Sequence, residues 1–274
     1  KGGFYMVVSL LEKVRALNPI VANVANGVTI DQVANAQNAI GTSPIMSNAP
    51  EEAEGIVTIA QAITINIGSL WAPQIQEMMA LMTAAYQQQK PVVLDPVAVG
   101  SLAYRQQIIE QLLILDTPTL IRGNAGEIAY FAGIDWQANG IDAGHGNSDP
   151  VIIAKAAANR LHTIILLTGP TDIITDGQRV TLISNGTSLF QTHVGSGDML
   201  SGLCGAFVAV HPADPYQAAI EAAATFAVAG ELVATAMETP LPGTFYPQLI
   251  DYLFHITPAK VANTVQLSEV PTHE

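Results

Sequence analysis

His193-Val194-Gly195-Ser196-Gly197-Asp198-Met199-Leu200-Ser201-Gly202 is the stretch from which the rest of this chain is best read. Residues 199–210 form an apolar run, and a helix that is apolar all round is stable only when buried between other elements. A turn of small residues, Gly195, Ser196 and Gly197, feeds that helix, and Asp198 stands at its start. Glycine lets main-chain N–H groups close on an anion, because no Cβ stands in the way. The first turn of a helix adds unpaired N–H donors and the positive end of its dipole. Beside such a cradle Asp198 can accept a proton from a hydroxyl while the N–H groups of Gly195, Ser196 and Gly197 hold a transferring phosphoryl group. An Asp at a helix N-terminus is also a common cap. The motif's place in the chain favours the chemical role.

Outward from it, helical and strand periods alternate along the sequence. Helical spacing covers residues 30–40, 51–61, 72–89 and 102–113, and Glu127 opens a further helix. Short β-rich runs cover residues 62–67, 91–94, 119–122 and 163–167. Asp176-Gly177 marks a hairpin between strands at 172–175 and 179–183. Residues 133–149 read as a solvent-exposed loop, and the C-terminal third as helical. Such alternation predicts an α/β fold: one three-layer α/β/α domain over residues 1–274 around a mostly parallel central sheet. In open sheets of this kind ligands bind beyond the carboxyl ends of the strands. Asp95-Pro96-Val97 follows one strand, Arg122-Gly123-Asn124-Ala125-Gly126-Glu127 a second, Thr168-Gly169 a third, and the glycine turn the last β segment. Four polar clusters therefore fall on one rim.

Composition narrows the function classes. The formal charge is −13, from 23 acidic against 10 basic residues, with no basic cluster, which argues against nucleic acid as a partner. Only 12% of residues are charged and 49% are hydrophobic, so a large core and apolar subunit contacts are expected. No apolar run reaches the ~18–20 residues of a membrane span; residues 218–237 come closest, interrupted by Glu221 and Glu231. The single cysteine, Cys204, rules out an internal disulfide and fits a reducing cytoplasm. It reads as a small core residue rather than a nucleophile. The chain opens on Lys1 rather than Met, so residues 1–5 are set apart as an added or truncated start, and no signal peptide is expected.

Several motifs together carry a family likeness: Asn26-Gly27-Val28-Thr29, Gly41-Thr42-Ser43-Pro44-Ile45-Met46, Asn66-Ile67-Gly68, Val93-Leu94-Asp95-Pro96-Val97, Ile121-Arg122-Gly123-Asn124, Thr168-Gly169-Pro170 and Gly195-Ser196-Gly197-Asp198. In this order they resemble the hydroxyethylthiazole kinases of the ribokinase-like superfamily, over nearly the whole chain. The resemblance implies ATP-dependent phosphorylation of the primary hydroxyl of 4-methyl-5-(2-hydroxyethyl)thiazole in thiamine biosynthesis or salvage, with Mg²⁺. It implies a cytoplasmic homotrimer with active sites at subunit interfaces. Asp198 stands where the family usually has Cys and where the wider superfamily has its base, and Gly27 stands where the family has Tyr.

Residue by residue, the resemblance makes Asp198 the base and places Arg122 and Thr168 on the ATP phosphates. Asn124 and Glu127 form the N-x-x-E pattern that organises Mg²⁺, with Asp95 as a second acidic contributor. Residues three apart on a helix share a face, so the pair can reach one ion. Glu127 can equally serve only in a capping box. Met46, with Gly195 across the site, corresponds to the thiazole contact, and Asn26 borders the same pocket. Rival readings are a kinase of a hydroxymethylpyrimidine or pyridoxal-like alcohol, a nucleotide-dependent NAD(P)H-hydrate dehydratase, and a binding protein without catalysis. The Asp95, Glu127 and Asp198 set argues against the last. His145 between two glycines reads as solvated loop, His193 as a strand-end polar residue, and Trp71 and Trp136 as packing residues. No Walker-type G-x-x-x-x-G-K is present.

Overall fold

The computed structural model describes residues 9–139, 142–146 and 148–271. Residues 1–5 and the His145 side chain thus lie outside the described positions. The chain runs through α1 (Leu10–Leu17), β1 (Ile20–Val24), α2 (Ile30–Ala39), β2 (Ser43–Met46), α3 (Ala53–Ile59), β3 (Ala62–Asn66), α4 (Ala72–Gln87) and β4 (Val92–Asp95). It continues through α5 (Ala103–Leu115), β5 (Leu120–Asn124), α6 (Ala125–Ala132), the small strands β6 (Gln137–Asn139) and β7 (Asp142–His145), α7 (Pro150–Leu161), β8 (Ile164–Thr168), β9 (Asp172–Thr175) and β10 (Val180–Ile183). It closes with α8 (Leu189–Thr192), α9 (Ser196–Val210), α10 (Pro215–Ala236), α11 (Pro242–His255), α12 (Pro258–Thr264) and β11 (Leu267–Glu269).

Nine strands form one sheet in the order β11-β10-β9-β8-β5-β4-β3-β1-β2. Strands β2, β1, β3, β4, β5 and β8 are parallel, while β9 pairs antiparallel with β8, β10 with β9 and β11 with β10. Two reversals return β10 to the direction of β8, so its carboxyl end meets the same rim. Pro44 sits in β2 at the sheet edge, the place where a missing N–H costs no ladder bond.

Helices cover both faces, as the alternation predicts. One core packs α1, α2 and α8–α12 on Val21, Val93, Leu120, Leu166 and Ile174; the other packs α3–α7 on Ala22, Ile63, Ile65, Leu94 and Ile121. The helix α9 is buried along its apolar run, the outcome its composition requires. At 22 residues α10 is long and apolar enough to cross a membrane, contrary to the sequence expectation, but 78% of its apolar window is buried inside the fold. It is a core helix.

Some expectations change. Residues 133–149 are not all loop, because β6 and β7 pair there. Helix α6 starts at Ala125 rather than Glu127, because Asn124 caps it. His193 follows α8 instead of a strand and stacks on Tyr246, with ring centroids 4.8 Å apart. Trp71 is 55% exposed, since it stands in extended backbone just before α4, whereas Trp136 packs on the second core.

Candidate active site

The strand order reverses at β1. From it the chain steps outward to the edge strand β2, then crosses back to β3 and runs on through β4, β5 and β8. Open α/β sheets bind ligands at such a switch point. Four parallel strands here close on a polar residue: Asn66 on β3, Asp95 on β4, Asn124 on β5 and Thr168 on β8. Asn66 lies opposite Asp95 in register, and Asn124 opposite Thr168. The rim expected from the sequence is therefore a row of side chains along the sheet.

The N-terminus of α9 comes down on this row. Gly195 caps the helix with φ 97°, a left-handed conformation that favours glycine. Met199 N–H donates to the Gly195 carbonyl at 2.8 Å, the first bond of the helix. The N–H groups of Ser196, Gly197 and Asp198 thus have no acceptor within the helix, and no side chain caps it. Thr29, on the turn after β1, donates its Oγ1 hydroxyl to Asp198 Oδ2 at 2.5 Å. Asn66 donates Nδ2 to Asp198 Oδ1 at 3.1 Å. The two elements flanking the switch point therefore fix both oxygens of one carboxylate. Asp198 opens on a hollow lined by Asn23, Asn26, Val33, Thr64 and Asn66. Asn26 is tied there by Ser69, whose hydroxyl donates to Asn26 Oδ1 at 2.7 Å.

Beside it lies a charged network. Asp95 Oδ2 accepts from Ser201 Oγ at 2.7 Å and pairs with Arg122 Nη1 at 3.4 Å. Arg122 Nη2 donates to Thr168 Oγ1 at 2.7 Å. Burial opposes the charge of Arg122, yet Asp95, Glu127, Asp198 and Asp172 together hold its pKa above the ordinary arginine value. Burial pushes Asp95 up to about 6, with Arg122 opposing and Asp198 adding to the rise. Burial likewise takes Asp172 to about 6, against the N–H of Gly169 and the charge of Arg122. One guanidinium faces four carboxyl groups, so the site carries room for further positive charge.

Asn124 and Glu127 form a capping box. Asn124 Oδ1 accepts from Glu127 N–H at 3.0 Å, and Glu127 Oε2 accepts from Asn124 N–H at 2.8 Å. Glu127 Oε1 accepts from Ala98 N–H at 2.8 Å. Burial and the nearby Asp95 raise Glu127 to about 7, against Arg122 and these two N–H bonds. The helical spacing was expected to turn both side chains to one ion; here each bonds the other's main chain. Asp95 Oδ1 is different: it is buried and has no hydrogen-bond partner.

Met46 is apart from this cluster. It ends β2 at the sheet edge, half-buried and opposite Asn23, and does not line the hollow beside Asp198. Cys204 is buried, and burial pushes its thiol up to about 12, which leaves it inert. Sequence reasoning assigned no role to Thr29, Asn66, Ser201 or Asp172. Asn66 carried a signal, a polar residue closing an apolar strand; Ser201, within α9, and Asp172, opening β9, carried none.

The model of the hydroxyethylthiazole kinase family matches residues 11–259. A hydroxyethylthiazole kinase of Latilactobacillus sakei subsp. sakei (strain 23K) is 65% identical over 266 residues, 97% of this chain and 99% of its own. The solved hydroxyethylthiazole kinase of Pyrococcus horikoshii OT3 superposes with a TM-score of 0.86 at 31% identity, covering 97% of this chain and 99% of that one. A ribokinase-like superfamily protein from Enterococcus faecalis V583, 16% identical over 91% of this chain and 94% of its own, superposes with a TM-score of 0.63 and shares the fold alone. By its sequence from α1 to α12, and by the fold that places Asp198 on the rim of the sheet, this chain belongs to the hydroxyethylthiazole kinase family.

Proposed function

We propose that this chain is an ATP-dependent kinase of the primary hydroxyl of 4-methyl-5-(2-hydroxyethyl)thiazole, serving thiamine biosynthesis or salvage in the cytoplasm. The whole chain is read as one kinase domain. The observation that carries the reading is Asp198, gripped at both oxygens by Thr29 and Asn66 below the open N-terminus of α9. The two donors take one lone pair on each oxygen and leave the others free to face the hollow. An alcohol bound in the hollow can hand its proton to Asp198 as its oxygen attacks the terminal phosphorus of ATP, while the bond from that phosphorus to the bridging oxygen breaks and ADP leaves. The N–H groups of Ser196 and Gly197 face the charge that builds on the moving phosphoryl group. Arg122, with Thr168, binds the phosphates of ATP. In such reactions positioning and electrostatics do most of the work.

The residues fit Mg²⁺. Among the described residues no three His, Cys, Asp or Glu side chains form a metal cluster. Mg²⁺ needs none, since it keeps its waters and takes one or two carboxylates plus phosphate oxygens. Asp95 offers a buried oxygen without a partner, in a pocket where carboxyl groups outnumber cations. Asp95 would hold the ion, with Asn124 and Glu127 ordering its waters. When bound, it supplies charge neutralisation on the triphosphate.

We also read the protein as a homotrimer with shared sites. Met46 sits on an open sheet edge, away from its own chain's Asp198. A neighbour's Met46 set against Gly195 would complete the thiazole pocket. The test is ADP release with ATP and Mg²⁺ over a panel of alcohols. Turnover of the thiazole is expected; turnover of a pyrimidine or pyridoxal-like alcohol without the thiazole, or repair of hydrated NADH instead, would overturn the assignment.

A further inference from the structure

Arg105 is the second partly buried arginine near the rim, and the reaction just described gives it no task. It stands in the first turn of α5. Arginine heads at such places usually pair with carboxylates, yet among the described residues Arg105 makes no ion pair within 4 Å. It spends its fork on two main-chain carbonyls of separate loops: Nη2 donates to Gly68 O at 2.7 Å, and Nη1 to Val97 O.

Each of those loops leads directly to the site. Behind Gly68, its N–H donates to Asn66 Oδ1 at 2.7 Å. That bond decides which end of the Asn66 amide is left, so Nδ2 points at Asp198 Oδ1, 3.1 Å away. The packing is tight: a Cβ on Gly68 would lie 2.3 Å from Asn26 Nδ2 and 2.8 Å from Asn66 Oδ1. Behind Val97, Ala98 takes a left-handed φ of 58° and donates its N–H to Glu127 Oε1 at 2.8 Å. The neighbouring Gln106 Nε2 donates to Val99 O at 3.0 Å, so α5 holds the second loop twice.

We infer that Arg105 is a positioning residue: through Gly68 and Asn66 it sets the orientation of the Asp198 carboxylate, and through the loop at Val97 and Ala98 it sets Glu127. The inference rests on the reading of Asp198 as the base. A planar fork reaches two carbonyls at a fixed spacing, which a lysine ammonium cannot do. A small misplacement of a reacting group can cost about 10²-fold in rate.

The test uses Arg105→Met, which keeps the apolar stem, with Arg105→Lys read in the same way so that a poorly folding variant does not decide the matter. First, the side-chain amide signals of Asn66 in ¹⁵N-labelled full-length protein, assigned by their loss in Asn66→Ala, are followed by NMR. They should move in both Arg105 variants. Second, kcat should fall about 10- to 10²-fold while KM for ATP and for the alcohol changes less than about 3-fold. Third, in an Asn66→Ala background Arg105→Met should cost clearly less than it does in the wild type, because the part of its effect that runs through Asn66 to Asp198 is already lost. Unmoved Asn66 signals, or losses in kcat that multiply in the double variant, overturn the inference. A wild-type protein that turns over no thiazole alcohol sinks the proposed function instead, and the Asn66 signals still decide the case of Arg105.

Discussion

Arg122 shows how closely single residues set this site. A Cβ on Gly197 would stand 2.3 Å from Arg122 Nη1 and 2.6 Å from Nη2. Arg122 cannot step aside without leaving Asp95 or Thr168. Gly197 lies in the first turn of α9, where Ala is the better helix former by up to about 1 kcal/mol. Gly197→Ala should nonetheless lower the melting temperature, because the disturbed buried pair of Arg122 with Asp95 outweighs the helix gain, and raise KM for ATP by about 10-fold or more, the worth of one displaced charged contact. Steady-state kinetics beside a thermal melt check this; unchanged KM would mean that Arg122 does not meet the nucleotide. At this scale the sequence was informative about Asp198, Arg122 and Thr168, because a charged or hydroxyl residue at a glycine turn stands out. It gave Thr29 and Asn66 no role, although both lie in motifs that carry the family likeness. Their importance lies in reaching Asp198 across 169 and 132 positions, a pairing that local patterns do not encode.

At the scale of elements, the strands that end on polar residues were legible, since an apolar run closed by Asp, Asn or Thr marks a rim. The edge strands β2 and β11 were not, because short strands with a Pro or polar residues lack the period-2 signature. Helix α4 shows a further limit. Its periodicity gave the helix, but the 3-10 turn Pro50–Glu52 packs over it and buries a polar position. Glu77 there is 1% exposed, and neither of its oxygens has a hydrogen-bond partner. Burial raises Glu77 from 4.5 to about 7, with the charge of Glu52 adding to the rise. A carboxyl whose pKa is raised on folding gives its full stabilisation below the unfolded value. It loses that stabilisation as pH climbs through the folded value, so the window here runs from about 4.5 to about 7. Glu77→Gln should raise the melting temperature by several degrees at about pH 8, corresponding to at most about 3 kcal/mol, and by much less at about pH 5. Melts at both pH values check it; an equal gain at both, or a loss at the higher one, contradicts the reading of Glu77 as a buried, costly charge.

For the whole molecule, alternation of helix and strand was enough to give the layered fold, because a parallel sheet must bury both faces. The switch point at β1 was not legible, since strand order follows from packing between distant segments. Assembly is tested by complementation. Met46→Arg and Asp198→Asn proteins, each inactive alone, should recover part of the activity when mixed under conditions of subunit exchange, as some mixed sites hold both wild-type halves. No recovery despite demonstrated exchange, or a monomer by light scattering, excludes the shared site. The fold as a whole converges on one carboxylate, and its replacement is the most direct measurement. Asn at 198 keeps the size of Asp and can still accept from Asn66, while its own amide donates to Thr29, so the fold should hold. Kinetics at saturating ATP and thiazole alcohol, beside a thermal melt, should show kcat lowered about 10²- to 10⁴-fold with the melting temperature unchanged. An unchanged kcat together with a lowered melting temperature would make Asp198 a helix cap and contradict the account.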